Sequence, residues 1–265
     1  MEIKFEHQSF FKRLKSMLVV DFRRMFTMPL LYIMAGTCLV IPVLVLVMTT
    51  MFDGSTSVNP QTGVETTIEG FDNTWQGIAA LSGAPMSMDL TSMCNINLVF
   101  FMIAVLICIF VAADFRSGYS KILFTVRAKR ADYVVSKAVV SFVGSMIMLW
   151  AYFIGTVLGG AISGLSFDLG TAGVSGLVMC MLAKSFLLLV FVGLYLLMSI
   201  IAKEKLWLSL VASMMSSMLL FMMIPALTPL DSTITNVVLC LVGGVIFCVG
   251  LGAVSNVMLK NKDIV

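Results

Sequence analysis

The chain has 265 residues, 60% of them hydrophobic and 12% charged, and its mean hydropathy is +1.05. Soluble domains carry about 25% charged residues, so a surface wholly covered by water is excluded. The net charge of +3 is small, and its distribution along the chain says more than its sum.

Residues 9–26 show apolar side chains at three- and four-residue spacing: Phe10, Phe11, Leu14, Met17, Leu18, Phe22, Met25 and Phe26. Lys12, Arg13, Lys15, Arg23 and Arg24 fall largely elsewhere, and Ser9 is placed to cap the start. This pattern predicts a basic amphipathic helix lying in the membrane interface, with residues 1–29 forming a segment of their own. The charged lead and the apolar run are both too long for a signal peptide. Pro29 ends the helix, because its ring clashes with a continuing one.

Six uncharged runs follow, at 30–52, 90–113, 138–160, 185–202, 206–225 and 235–259. Each approaches or exceeds the roughly 20 residues that cross a bilayer as a helix. Lipid cannot satisfy open backbone groups, and the runs lack the alternation of a β-barrel strand. The expectation is an all-α, polytopic membrane protein with six transmembrane helices over residues 30–265. Pro42 predicts a kink in the first span.

The basic residues fix an orientation. No Lys or Arg occurs from 25 to 115, and 16 of the 17 fall on one side of the six-span arrangement. The other side carries only acids: Asp53, Glu65, Glu69, Asp72, Asp89, Asp168 and Asp231. The positive-inside rule makes the basic side cytoplasmic, with both termini there. Lys184 is the exception, expected at the outer membrane edge as a snorkelling anchor, with a charge lining a substrate path as the alternative. Residues 53–89 form the largest external loop, with Trp75 and its neighbours packing on the outer surface. Residues 161–183 join the third and fourth spans outside, and a tight turn around Pro229 and Asp231 joins the last two.

The six cysteines show no CxxC or Cys/His pattern, so neither a disulfide framework nor a zinc site is indicated. The Met214, Met215, Met218, Met222 and Met223 cluster reads as packing filler. Gly155-x-x-x-Gly159 and the stripe Ser209, Ser213, Ser217 mark faces for close helix contact: packing within the chain, a dimer seam, or the lining of a path. One histidine, His7, leaves no span with serine-protease or metalloprotease chemistry. There is no GxxxxGK[ST] phosphate loop. No run holds a mid-depth acid of the kind ion-coupled carriers use. No catalytic or cofactor-binding residue is expected, and an apolar bundle without its own energy source implies a driving partner.

The inner stretch 114–137 interleaves six basic residues with Tyr119, Ile122, Leu123, Phe124 and Val126, an apolar face that a purely topogenic loop would not need. Three stretches stand in order: Asp21-Phe-Arg-Arg-Met-Phe-Thr-Met-Pro29, Asp114-Phe-Arg-Ser-Gly-Tyr-Ser-Lys121, and Arg130-x-Asp-Tyr133-x-x-x-Lys137. In these stretches, and in its topology and length, the chain resembles permease subunits of ABC transporters of the ABC-2 (type V) exporter class. It departs from their common pattern in having Asp114 where Glu is frequent, and Gly118-Tyr119 where Gly-Thr is frequent. The resemblance implies a coupling element that docks on a separate cytoplasmic ATPase through Asp114, Arg116, Gly118, Tyr119, Lys121, Leu123, Phe124, Arg127 and Arg130. It implies a connecting N-terminal helix, a second permease copy or paralogue, and a path flanked by the second and fifth spans. ATP and Mg would be bound by the partner ATPase, and a bacterial plasma membrane would be the site of action. No nucleic-acid partner is expected. Uncharged spans suit an apolar or amphipathic substrate, such as a peptide, antibiotic or lipid. The transmembrane subunit of an energy-coupling importer and a non-transport scaffold or sensor are the alternatives.

Overall fold

A computed structural model describes residues 10–58, 65–67, 70–79, 95–126, 130–170, 172–221 and 223–261. Helix α1 spans Phe10–Thr27 and α2 spans Pro29–Met51, with Met28 alone between them. The proline opens α2 at a position where its missing N–H costs nothing. A short antiparallel pair, β1 (Thr56–Val58) and β2 (Glu65–Thr67), and a 3-10 turn at Thr74–Gly77 follow. Helix α3 is Leu98–Arg116, α4 is Tyr119–Val126, and α5 is Arg130–Ser163. Helix α6 is Gly173–Ala202, α7 is Leu206–Phe221, α8 is Met223–Leu227 and α9 is Ile234–Asn261.

The chain is thus an almost wholly helical multi-pass membrane protein. Five helices, α2, α3, α5, α6 and α9, are long and apolar enough to cross a membrane. The expected fifth span, 206–225, is covered by α7 and α8, and residue 222 between them lies outside the described residues. Helices α5 and α6 extend well beyond their uncharged runs, which shrinks the expected 161–183 connection to a loop of 164–172. Residues 130–137, expected in the inner loop, are the first two turns of α5.

Helices α3 and α6 form the centre, whereas α2 and α9 turn most of their side chains outward. Lipid is as apolar as leucine, so close packing and polar contacts must hold the helices together. The α2–α5 crossing shows the first device. A Cβ on Gly155 would collide with the Leu39 carbonyl, and one on Gly159 would lie 2.9 Å from the Val43 Cα. The small-residue pair therefore packs within the chain, against the stretch of α2 that contains the buried Pro42.

At the acidic end, Asn73 caps the 3-10 turn and forms a bridge with Ser166. Thr74 sits against Gly160, and Trp75 is buried with its ring edge-on to Phe167, centroids 5.7 Å apart. Residues 70–79 thus pack against the acidic end of the bundle; 80–94 lie outside the described residues. Of the methionine cluster, Met214 packs against the core as filler would, Met215, Met218 and Met223 are exposed and do not, and Met222 lies outside the described residues.

Candidate functional site

Four ionised side chains meet at the basic end, from three helices. Asp21 comes from the middle of α1, where Met17, Asp21 and Met25 form the buried edge of the helix. The apolar stripe is therefore split: its protein side carries a carboxylate, while Phe10, Phe11 and Phe26 point outward. Asp114 closes α3, and Lys137 lies two turns into α5.

Lys137 Nζ is 2.9 Å from Asp21 Oδ1 and 2.7 Å from Asp114 Oδ2. Arg24 Nη1 lies 2.7 Å from Asp114 Oδ1. Ser136 Oγ donates to Asp21 Oδ2 at 2.6 Å, and Tyr133 Oη donates to Asp114 Oδ2 at 3.1 Å. Lys137 Nζ also sits 3.9 Å from the centroid of the Phe110 ring. Asp21, Asp114 and Lys137 are fully buried; Arg24 alone keeps about a third of its side chain exposed. Two carboxylates balance two cations. Burying even one of these charges alone would cost several kcal/mol, so each requires the others. One residue before Tyr133, Asp132 pairs with Arg13 of α1 at 3.0 Å.

The short helix α4 joins this cluster from the side. Gly118 makes the turn out of α3 at φ +70, a left-handed conformation costly for other residues. The Arg24 guanidinium stacks 4.3 Å above the Tyr119 ring. Burial, aided by the Asp21 charge, pushes the Tyr119 hydroxyl above its ordinary range, so it stays neutral. Phe124 meets Tyr133 edge-on, centroids 5.4 Å apart, and Leu123 packs beside it against the core. Ile122, on the opposite face of α4, is 65% exposed.

The residues expected to form the coupling element are thus distributed. Asp114, Tyr119, Leu123 and Phe124 belong to the cluster or its edge. Arg116 is exposed, and Arg130 is partly buried at the start of α5. Lys121 lies on α4 with its side chain outside the described residues, as is Arg127 altogether. Ser209, Ser213 and Ser217 are buried inside the chain. There Ser209 and Ser199 hydroxyls are 2.9 Å apart, and Ser213 lies 3.3 Å from Cys108 Sγ.

Sequence reasoning noted the stretches that hold Asp21, Arg24 and Lys137 but gave none of the three a place among the coupling residues. The usable signal was the acids: Asp21, Asp114 and Asp132 stand alone among basic residues at membrane boundaries.

Lys184 forms a second polar site near the acidic end. It is fully buried, which corrects its expected place at the lipid edge. It lies eleven residues into α6, from 173 to 184, or about 16 Å along the helix. Its ammonium donates to Asn97 Oδ1 and to Thr228 Oγ1, each at 2.9 Å. Thr228 in turn donates to the Ile224 carbonyl at 2.7 Å. Among the described residues no carboxylate pairs with Lys184, and no group of three or more His, Cys, Asp or Glu is placed to hold a metal ion.

Comparison with known proteins finds no matching family, no matching curated protein and no matching solved structure.

Proposed function

We propose that the chain is the permease subunit of an ATP-driven exporter, with its basic end in the cytoplasm and a separate ATPase docking on that end. The observation that carries this reading is the convergence at the cluster. The three stretches in which the chain resembles ABC-2 permeases each supply the cluster with charge, from a different helix: Asp21 and Arg24 from α1, Asp114 from α3, and Lys137 from α5.

A coupling device must pass a push at the surface into the bundle without losing it in soft loops. Helix α4 presents Ile122 outward and Phe124 inward, and Phe124 bears on Tyr133, which holds Asp114. Asp114 and Lys137 then join α3, α5 and α1 in one unit. In this proposal an ATPase pressing on α4 and the adjoining basic turn moves all three helices together, a rigid-body step. The transported substrate is apolar or amphipathic. The sixth crossing is completed by α7 with α8, a second copy or paralogue completes the working unit, and the assembly acts in a bacterial plasma membrane.

The test is gentle purification of the chain from its native membrane, in parallel with a variant carrying Arg127→Glu, Lys129→Glu and Arg130→Glu. A soluble ATPase that accompanies the wild type and is lost from the variant supports the reading. A chain recovered without an ATPase in both preparations overturns it in favour of a scaffold or sensor.

A further inference from the structure

Beside the ionic cluster, the end of α1, the junction with α2 and the last two turns of α3 border a shallow, largely open cavity of about 260 Å³. Arg24, Thr27, Met28, Phe110 and Ala113 line it. One wall is therefore cationic, one is a hydroxyl and three are apolar, the lining an amphiphile with an anionic head requires.

The charge available there can be worked out. The C-terminal end of α1, which repels anions, meets the N-terminal end of α2, which attracts them, at Met28. These partial charges offset one another. Thr27 Oγ1 donates to the Arg23 and Arg24 carbonyls at 2.9 and 3.2 Å, which covers part of the negative end. What remains is Arg24. Asp114 and the Tyr119 ring engage part of its guanidinium, which carries five N–H donors, and a third of the side chain stays exposed. Of the four charges in the cluster, only this one can reach a ligand. Lys12, Lys15 and Arg23 on the same helix add a positive field, and Asp21 is the one acid of α1.

The surroundings decide which anion arrives. Around the cavity the surface exposes Phe26, Tyr32 and Ile33, and the Tyr32 hydroxyl donates to the Phe26 carbonyl at 2.9 Å. An aromatic ring with its polar tip so anchored at the end of a spanning helix is a mark of the membrane interface. A soluble anion has no use for such apolar walls, whereas acyl chains can lie along the outward face of α2. The volume falls below the roughly 300–1,000 Å³ that encloses a drug-sized ligand, so it accommodates a headgroup and glycerol but not the chains.

We propose that this cavity binds one anionic phospholipid. Its phosphodiester meets Arg24, and its glycerol and first methylenes lie over Met28, Phe110 and Ala113. The phosphate then shares the guanidinium with Asp114, so bound lipid bears directly on the ionic cluster. The inference requires only that the chain is embedded in a membrane and stands apart from the transport reading.

The experiment uses the full chain in vesicles of phosphatidylcholine alone or mixed with phosphatidylglycerol, extracted mildly and weighed intact by native mass spectrometry. Wild type is expected to retain one phosphatidylglycerol per chain and to unfold at a higher temperature in the mixed lipid. Arg24→Gln and Ala113→Trp, which fills the cavity without touching a charge, are each expected to lower retention about tenfold. Inorganic phosphate is expected to produce neither the thermal shift nor displacement of the lipid. Retention unchanged in a folded Ala113→Trp chain overturns the proposal, as does equal retention of phosphatidylcholine. A thermal shift produced equally by phosphate alone also overturns it and makes the cavity a site for a free anion. The wild-type comparison of the two lipids decides the matter even where a variant fails to fold.

Discussion

The two ends of the bundle bury charge in different ways. At the basic end, Asp21, Arg24, Asp114 and Lys137 neutralise one another across three helices. Near the acidic end, Lys184 is held by two neutral groups, an asparagine oxygen and a threonine hydroxyl. The first arrangement is mutually dependent: taking away one member leaves an opposite charge stranded in a medium that cannot solvate it. The second is not, because the partners of Lys184 bear no charge to strand. A buried charge is thus a measure of stability only once its partners are known.

Four substitutions and one control break or sharpen this contrast, each read by thermal or denaturant unfolding of the purified chain in micelles. Lys137→Met leaves Asp21 and Asp114 facing each other and is expected to cost about 3–5 kcal/mol. A loss below about 1 kcal/mol would mean that the cluster is not held by mutual compensation. Gly155→Ala tests the α2–α5 crossing between the two ends, since its Cβ would enter the space of the Leu39 carbonyl. About 2 kcal/mol should be lost by overpacking. Gly243→Ala, where a Cβ meets nothing within 4 Å, serves as the control and should be neutral or gain about 0.5–1 kcal/mol. Tyr133→Phe removes one hydrogen bond to Asp114 while the four charges stay balanced, and should cost about 1.5 kcal/mol. Lys184→Met removes a buried cation together with its two hydrogen bonds and should stay within about 1 kcal/mol of wild type. If it destabilised the chain as much as Lys137→Met, the distinction between the ends would be lost.

Much of the helical frame was legible because a bilayer imposes it. Uncharged runs located five crossing helices, and the stripe over 9–26 located α1 at Phe10–Thr27 to within one residue. The ionic cluster was only half legible. Its stretches were noticed, yet Lys137 was counted among loop charges, because a charge at a helix boundary looks topogenic when its counter-ions, Asp114 and Asp21, stand on other helices and one of them is 116 residues away. Periodicity reports which face of a helix is apolar; it does not report that Asp21 sits on the buried edge of α1. Lys184 was misplaced for a related reason. Counting 18 residues back from 202 put it at the outer membrane edge. The side chain instead turns inward to partners from the α2–α3 connection and the α8–α9 turn, which no local pattern reveals. The serine stripe was found, whereas its partners Ser199 and Cys108 lie on other helices.

The zero sum of the cluster has an electrical consequence. Moving one elementary charge across a membrane potential involves about 2.3 kcal/mol per 100 mV. Two carboxylates and two cations that travel together carry no net gating charge. The cluster itself can therefore change its position relative to the bilayer with almost no electrical work, and it adds nothing to whatever voltage response the surrounding basic residues give that end.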